Sequence, residues 1–181
     1  MVNKYRSLRT LLALVVSIVS TSSYAVELAI SAGIAPQPDE SYNNSLLALD
    51  AILFDWQRSS VQTLSLGTSV TYLKADTTAN PDDLIALSVF PELKLFAERF
   101  DRRWFFQVRA LGPTWISEKH LGKREQAMHF AFLAQVGGGM YLGASNRGYI
   151  NVYYRHFSNA NLKKPNDGFD VPFNLSFGYR F

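Results

Sequence analysis

The sequence contains no cysteine, which excludes disulfide bonds and thiolate metal sites. It has only three histidines, and no spacing of His, Asp or Glu suggests metal ligands, so we expect no metal. Beyond residue 25, polar residues interrupt every apolar run, whereas a membrane-spanning helix needs about 20 apolar residues. The 181 residues are enough for one domain with a sizeable core.

Excess positive charge is confined to the beginning of the chain. The sequence has 18 basic and 15 acidic residues, and Lys4, Arg6 and Arg9 account for its formal net charge of +3. The remainder therefore carries 15 residues of each sign. A domain without net charge gives no support for binding nucleic acid, and we expect no such partner.

The first 25 residues are typical of a secretory signal peptide. Their basic residues precede an apolar run at 11–19, and Ser23, Tyr24 and Ala25 fit a small-x-small cleavage site. The alternative is a membrane anchor, but the apolar run is too short to span a bilayer as a helix. We therefore expect cleavage after Ala25, which leaves residues 26–181 as the folded domain.

From residue 26 onward, apolar and polar residues alternate in successive segments. In the last segment the apolar positions are Val171, Phe173, Leu175, Phe177, Tyr179 and Phe181. A period of two is typical of a strand with one apolar and one polar face. Eight such segments are predicted, at 26–34, 47–53, 63–72, 85–95, 104–116, 130–136, 150–154 and 171–181.

Eight alternating segments predict an all-β fold, namely an eight-stranded antiparallel transmembrane β-barrel with a filled polar interior. Closure is needed because hydrocarbon offers no partner to an open sheet edge. The charged residues predicted to pair inside and block a pore are Glu27, Asp50, Glu92, Lys94, Arg109, Arg155 and Arg180. Pro91 and Pro113 are predicted to mark bulges, because a central strand loses a hydrogen bond at proline.

The alternative is a soluble, lipocalin-like barrel whose apolar faces point inward. Against it stand the nearly all-apolar faces, the terminal Phe181 and aromatic residues near strand ends, which are Trp56, Trp104, Trp115, Tyr141 and Tyr179. In a membrane barrel the short connections at 56–60, 98–103 and 144–148 are periplasmic. The long ones, at 36–44, 75–83, 118–127 and 159–168, are then extracellular loops.

A base, a hydroxyl and an acid are gathered within fifteen residues near the end of the chain. His156 and Ser158 are two residues apart on the seventh strand, so their side chains leave the same face. The other residues of that face are predicted to contact lipid, where polar groups lack hydrogen-bond partners. Two polar residues on such a face therefore indicate a functional role. Asp170 follows the next loop, and such a trio is suited to ester hydrolysis.

The segment HFSNANLKKPNDGFD, residues 156–170, resembles the active-site segment of the lipid A 3-O-deacylases of the outer membrane, the PagL family. The resemblance implies an outer-membrane esterase that needs no cofactor and removes the 3-O-linked acyl chain of lipid A in lipopolysaccharide. It makes Ser158 the nucleophile, His156 the base and Asp170 the orienting acid. It also implies an oxyanion hole built from Asn159, the backbone N–H near Asn161, and the side chain of Asn166. The active site would lie on the extracellular side.

Two positions depart from the family pattern. Asp170 stands where the family has Glu, and Asn161 stands where it usually has Gly. Strand parity also directs Asp170 toward the lumen, so its role requires a bulge or turn near Pro172. Without one, Asp170 pairs with a lumen arginine and Asp167 holds His156.

The sequence contains two other histidines and is compatible with two other functions. His120 is expected to be solvated in a loop, and His129 is expected to find hydrogen-bond partners on the inner face. Neither is expected to be catalytic. A non-enzymatic barrel with an adhesive or structural role is one alternative to the esterase. A hydrolase of phospholipid acyl chains on the same fold is the other.

Overall fold

The computed structural model describes residues 27–36, 42–78 and 81–181. The predicted signal peptide lies outside the described residues, as does Val26. Among the described residues, no helix is long and apolar enough to cross a membrane. The strands are β1 Glu27–Pro36, β2 Asn43–Ser59, β3 Gln62–Ala75, β4 Asp83–Arg99, β5 Arg102–Ile116, β6 His120–Leu121, β7 Arg124–Glu125, β8 Phe130–Leu142, β9 Gly148–Ser158 and β10 Phe169–Arg180.

Eight of these strands form a closed barrel in the order β1-β10-β9-β8-β5-β4-β3-β2, and every neighbouring pair is antiparallel. The first and last strands close it, pairing from Glu27 with Arg180 to Ile34 with Phe173. The short strands β6 and β7 form a separate hairpin between β5 and β8. The predicted eight-stranded antiparallel barrel is confirmed.

The two ends of the barrel differ in their connections. At one end, the turn end, β2 joins β3 and β4 joins β5 through two-residue turns, and β8 joins β9 through residues 143–147. Phe100 and Asp101 both have positive φ, which is typical of a tight hairpin turn. At the other end, the loop end, the connections are longer. This alternation of short and long connections matches the predicted one, although β2 continues through Trp56.

The outer face of the barrel is apolar, as predicted. Its exposed large side chains include Ile30, Leu47, Trp56, Val89, Trp104, Phe106, Trp115, Val152, Leu175, Phe177 and Tyr179. Tyr141 is an exception among the aromatic residues expected on this face. It is buried inside the turn end, where its ring centroid lies 5.4 Å from that of Phe105 and 5.8 Å from that of Tyr149.

Charged side chains fill the middle of the lumen and neutralise one another. Lys94 Nζ lies 2.6 Å from Glu27 Oε1, and Arg109 Nη1 lies 2.5 Å from Asp50 Oδ2. Arg155 Nη2 lies 2.7 Å from the same oxygen of Asp50. The members of this lumen network are Glu27, Asp50, Glu92, Lys94, Arg109 and Arg155, all buried. Arg180, predicted to join them, is part-exposed instead and pairs with Asp55.

A large apolar cluster lies in the lumen beneath the loop end. This loop-end cluster contains Ala35, Tyr42, Leu46, Ala48, Ile52, Leu73, Ala75, Leu84, Ala86, Phe90, Ile116, Leu121, Ala131, Leu133, Phe157, Phe169 and Val171. The sequence predicted a polar interior throughout, so this layer refines that prediction. Packed side chains here resist rearrangement, which gives the outer wall at the loop end a firm backing.

Two bulges reverse strand parity at the loop end. The β5 register shifts between Arg109 and Gly112, and Leu111 has a φ of 53°. Ile116 therefore points inward, so its predicted place on the outer face was wrong. In the β4–β5 register the shift falls between Ser88 and Glu92 on β4 and between Arg109 and Thr114 on β5. These two stretches contain Pro91 and Pro113, which fits the prediction that the prolines mark bulges.

Candidate active site

A second bulge, in β10, sets the direction of Asp170. Between Val171 and Asn174 the β10 strand takes three steps while β9 takes two, from Arg155 to Tyr153. Asn174 is buried in the lumen, as predicted, whereas Val171 is buried there against prediction. On the far side of the bulge the alternation is inverted, and Asp170 lies on the outer face. The bulge that its proposed role requires is present.

His156 and Asp170 are direct partners across the β9–β10 pair. His156 Nδ1 lies 2.7 Å from Asp170 Oδ1, within hydrogen-bond distance. Both side chains are about one-third exposed, at 30% and 31%. Because Nδ1 is engaged, Nε2 is the ring nitrogen that remains to exchange a proton with a reacting group.

Two further side chains contact the Asp170 carboxylate. The Tyr154 hydroxyl donates a hydrogen bond to Oδ1, the same oxygen that faces His156. Arg124 Nη1 lies 3.9 Å from Oδ2. Asp167, the alternative acid, is engaged elsewhere, since its Oδ2 accepts the Glu125 backbone N–H at 2.8 Å. The acid next to His156 is therefore Asp170.

Ser158 is the last residue of β9 and is half-buried. The period of two along the strand puts it on the same outer face as His156. Within the described part of the chain, the structure contains no hydrogen bond between the Ser158 hydroxyl and the His156 ring. In unliganded sites the bond between nucleophile and base is often long and tightens only when substrate binds.

Asn159 anchors the loop that follows Ser158. Its side chain is fully buried, and Nδ2 donates to the Lys163 carbonyl at 2.7 Å. Its backbone N–H donates to Asn166 Oδ1 at 2.8 Å, and its carbonyl accepts the Leu162 N–H at 3.1 Å. The N–H of Asn159 is thus already occupied. Asn159 shapes the loop more directly than it could bind an oxyanion.

The next two residues, Ala160 and Asn161, both adopt left-handed backbone conformations, with φ of 53° and 59°. Asn tolerates this region better than most residues, which explains how Asn161 can adopt it. Neither backbone N–H has a hydrogen-bond acceptor within the ranges that the structure describes. Asn166 Nδ2 contacts Asn161 Oδ1 at 3.3 Å and retains a second hydrogen.

The loop before β8 holds the loop before β10 in place. Asp167 N–H donates to the Glu125 carbonyl at 3.0 Å, and Ala127 N–H donates to the Pro165 carbonyl at 2.8 Å. Arg124 Nη1 donates to the carbonyls of Asp167, at 2.8 Å, and Gly168, at 3.3 Å. These contacts fix the segment that leads directly into Asp170.

Gly168 lies against the imidazole of His156. Its φ is 69°, and a Cβ added there would lie 2.9 Å from His156 Cε1. A side chain at this position would therefore strain the backbone and press on the ring. The sequence did not predict Gly168, Arg124 or Tyr154 as neighbours of His156 and Asp170. Only Tyr154 had a sequence signal, since it shares the face of His156.

The other two histidines contact residues outside the His156–Asp170 pair. His120 Nε2 lies 3.5 Å from Glu125 Oε1 in the β6–β7 hairpin. His129 precedes β8, is exposed, and its Nδ1 lies 2.9 Å from the Ile116 carbonyl. Its predicted place on the inner face was wrong. In the described ranges, no group of three His, Asp or Glu residues could hold a metal ion.

An apolar groove of about 360 Å³ crosses the outer wall beside the β10 bulge. Its lining residues are Ala32, Gly33, Ile34, Val152, Phe173, Asn174 and Leu175. Val152 precedes His156 by four residues, which places the groove about 13 Å from the imidazole along β9. The groove thus lies on the same outer wall as His156.

Comparison with known proteins identifies the family. The family model described as Lipid A 3-O-deacylase (PagL) matches residues 46–180. The chain is 32% identical over 128 residues to the lipid A deacylase PagL of Bordetella bronchiseptica, a match that covers 70% of this chain and 66% of that protein. It thus spans just under two thirds of that relative's length.

The crystal structure of the outer membrane enzyme PagL superposes with a TM-score of 0.62 at 19% identity. That match covers 84% of this chain and 98% of the crystallised one, and it supports the barrel fold. The chain belongs to the lipid A 3-O-deacylase (PagL) family of outer-membrane hydrolases.

Proposed function

We propose that this protein is an outer-membrane esterase that hydrolyses the 3-O-linked acyl chain of lipid A, with Ser158, His156 and Asp170 as its catalytic residues. The observation that carries this proposal is the 2.7 Å contact between His156 Nδ1 and Asp170 Oδ1 on the outer wall. The lumen charges pair among themselves, so they do not need this carboxylate–imidazole contact on the outer wall. Its position beside Ser158 fits a base and its orienting acid.

In the proposed reaction, Ser158 Oγ attacks the ester carbonyl carbon while His156 Nε2 takes the hydroxyl proton. The bond from that carbon to the sugar 3-oxygen then breaks, and His156 gives its proton to the departing oxygen. Water attacks the acyl-serine, with His156 again as the base. The proton returns to Ser158 Oγ, and a free fatty acid is released.

The negative charge on the carbonyl oxygen needs preorganised donors. The backbone N–H groups of Ala160 and Asn161 lie two and three residues after the nucleophile and are the donors that we assign. The second hydrogen of Asn166 Nδ2 is a third candidate. We assign Asn159 to holding the loop, because its N–H and Nδ2 bind Asn166 and Lys163.

A lipid substrate fits the position of the site. The catalytic residues open onto the outer wall, where Val152 and Phe173 are 56% and 61% exposed. We assign the groove beside the β10 bulge to an acyl chain of the bound lipid. In this orientation the loop end faces the cell exterior, where lipid A forms the outer leaflet, and the turn end faces the periplasm.

Mass spectrometry of lipid A from cells with and without the protein tests this proposal. Wild-type protein should yield lipid A that lacks one ester-linked acyl chain. Ser158→Ala should lower deacylation by several orders of magnitude at equal amounts of folded barrel, because the triad acts as a unit. Ser45→Ala is the matched control: Ser45 is exposed near the loop end of β2 and should leave the rate unchanged.

Each outcome bears on a different part of the proposal. Unchanged lipid A with wild-type protein would refute the substrate. Release of fatty acid from phospholipids instead would make the protein a phospholipid acyl hydrolase. Full activity in Ser158→Ala, with folding verified by heat-modifiable migration on gels, would remove Ser158 as the nucleophile.

A further inference from the structure

Tyr154 lies on the outer face of β9, two residues before His156. Its ring is nearly parallel to the imidazole, with 13° between the planes and 6.3 Å between the centroids. Neighbouring outward residues such as Val152 present only apolar surface. Tyr154 differs from them because its hydroxyl reaches the site and donates a hydrogen bond to Asp170 Oδ1.

The Asp170 carboxylate lies between two competing partners. His156 faces Oδ1 at 2.7 Å, while the Arg124 guanidinium lies 3.9 Å from Oδ2. Arg124 is a permanent cation, whereas His156 is neutral for part of the reaction cycle. A carboxylate that is one-third exposed and has no other restraint can rotate toward Arg124 and lose its alignment with the ring. The Tyr154 hydroxyl supplies that restraint on the oxygen that His156 uses.

We propose that Tyr154 is a positioning residue, which holds Asp170 Oδ1 in line with His156 Nδ1 against the attraction of Arg124. This inference rests on the proposed ester hydrolysis. Tyr154 touches neither Ser158 nor the reacting ester in this scheme. It acts through Asp170, and its removal should slow the chemical step without weakening substrate binding.

The first test is Tyr154→Phe, which keeps the ring and removes only the hydroxyl. We expect kcat to fall roughly 10-fold, as for loss of a hydrogen bond to a charged group, with KM unchanged. Tyr72→Phe is the matched control, because the Tyr72 hydroxyl donates to Asp83 Oδ2 at 2.9 Å on a distant part of the wall. That variant should lose an equivalent bond and keep its kcat.

A second measurement separates positioning from lipid contact. The rate at which a fluorophosphonate labels Ser158 reports the nucleophile without lipid A, and it should fall by the same factor in Tyr154→Phe. In an Asp170→Ala background, adding Tyr154→Phe should change neither rate, because the acceptor of the hydroxyl is gone. A raised KM with unchanged labelling, or a further 10-fold loss in the Asp170→Ala background, would overturn the inference.

The labelling rate also separates this inference from the proposed function. If wild-type protein leaves lipid A intact but Tyr154→Phe still slows labelling, the substrate is wrong and the positioning role stands. If lipid A is deacylated and folded Tyr154→Phe labels at the wild-type rate, the positioning role is wrong and the function stands.

Discussion

Asp50 and Asp170 are both aspartates that bind basic side chains, but they lie in opposite surroundings. Asp50 is 3% exposed and accepts hydrogen bonds from Arg109, Arg155 and Ser69 in the middle of the lumen. Asp170 is on the outer wall, with 31% of its side chain exposed. One is enclosed by permanent charges, and the other is open to the surface.

The difference lies in what the partners can do. Arginine stays protonated, so Asp50 and its partners form a fixed ionic plug that satisfies buried charge. Histidine can gain and lose a proton near neutral pH. The contact with Asp170 uses Nδ1 of His156 and leaves Nε2 for a reacting group. We therefore assign the buried network to the structure of the barrel and, under the proposed function, the exposed carboxylate–imidazole pair to catalysis.

The sharpest way to break this comparison is to make the same change at both aspartates. Asp170→Asn keeps the shape but loses the charge that stabilises the imidazolium, so kcat should fall about 10³-fold with the barrel intact. Asp50→Asn leaves Arg109 and Arg155 without their shared anion. It should cost about 3–5 kcal/mol in the free energy of unfolding, while turnover per folded barrel stays near wild type.

Both quantities must be measured on both variants, by urea unfolding and by deacylation at matched amounts of folded barrel. Asp170→Glu is the conservative variant, since it keeps the charge on a side chain one methylene longer, and activity should persist. A stable but inactive Asp50→Asn would contradict the division between plug and site. So would an unstable Asp170→Asn with normal turnover.

Sequence periodicity predicted the fold well because each strand of a barrel carries its own two-faced pattern. Six of the seven predicted lumen charges are buried, because a charged side chain on the lipid face of a barrel strand is destabilising. Two of the errors lie beside bulges. Ile116 and Val171 were placed outside because an extra residue inverts parity without leaving a reliable local signal.

The candidate site could be predicted only in part, for a similar reason. His156 and Ser158 share one strand, so their common face follows from spacing alone. The contact of Asp170 with His156 depends on the bulge that precedes Asn174. Arg124 and Tyr154 reach Asp170 from another loop and another strand, and such contacts between distant parts of the chain have no counterpart in local sequence.

A smaller effect is expected at Gly168, which lies on the outer wall against His156, the partner of Asp170. Gly168→Ala combines a left-handed φ with a Cβ 2.9 Å from His156 Cε1, so it should displace the ring and lower kcat about 10-fold. Gly143→Ala is the matched control, because Gly143 has a φ of 71° and a Cβ there meets nothing within 4 Å. Both should cost about 1 kcal/mol of stability. Equal kcat values in the two variants would show that Gly168 does not support the imidazole.

The smallest effect is expected at Asp167, three residues before Asp170. Its Oδ2 accepts the Glu125 N–H at 2.8 Å, and its own N–H donates to the Glu125 carbonyl at 3.0 Å. Asp167→Asn keeps an oxygen that can accept the Glu125 N–H, and it leaves both backbone groups unchanged. The loop should stay docked, and kcat should fall by less than about 3-fold, as for a neutral hydrogen bond replacing a charged one at an exposed position.

The two Asn variants test which acid serves His156. Asp170→Asn removes the charge 2.7 Å from Nδ1, whereas Asp167→Asn removes one that is engaged with the β6–β7 hairpin. Measured side by side at equal amounts of folded barrel, they should differ by more than 100-fold in kcat, since only the first loses the anion that stabilises the imidazolium. An inactive Asp167→Asn beside an active Asp170→Asn would transfer the orienting role to Asp167. The β10 bulge would then serve the barrel wall rather than the reaction.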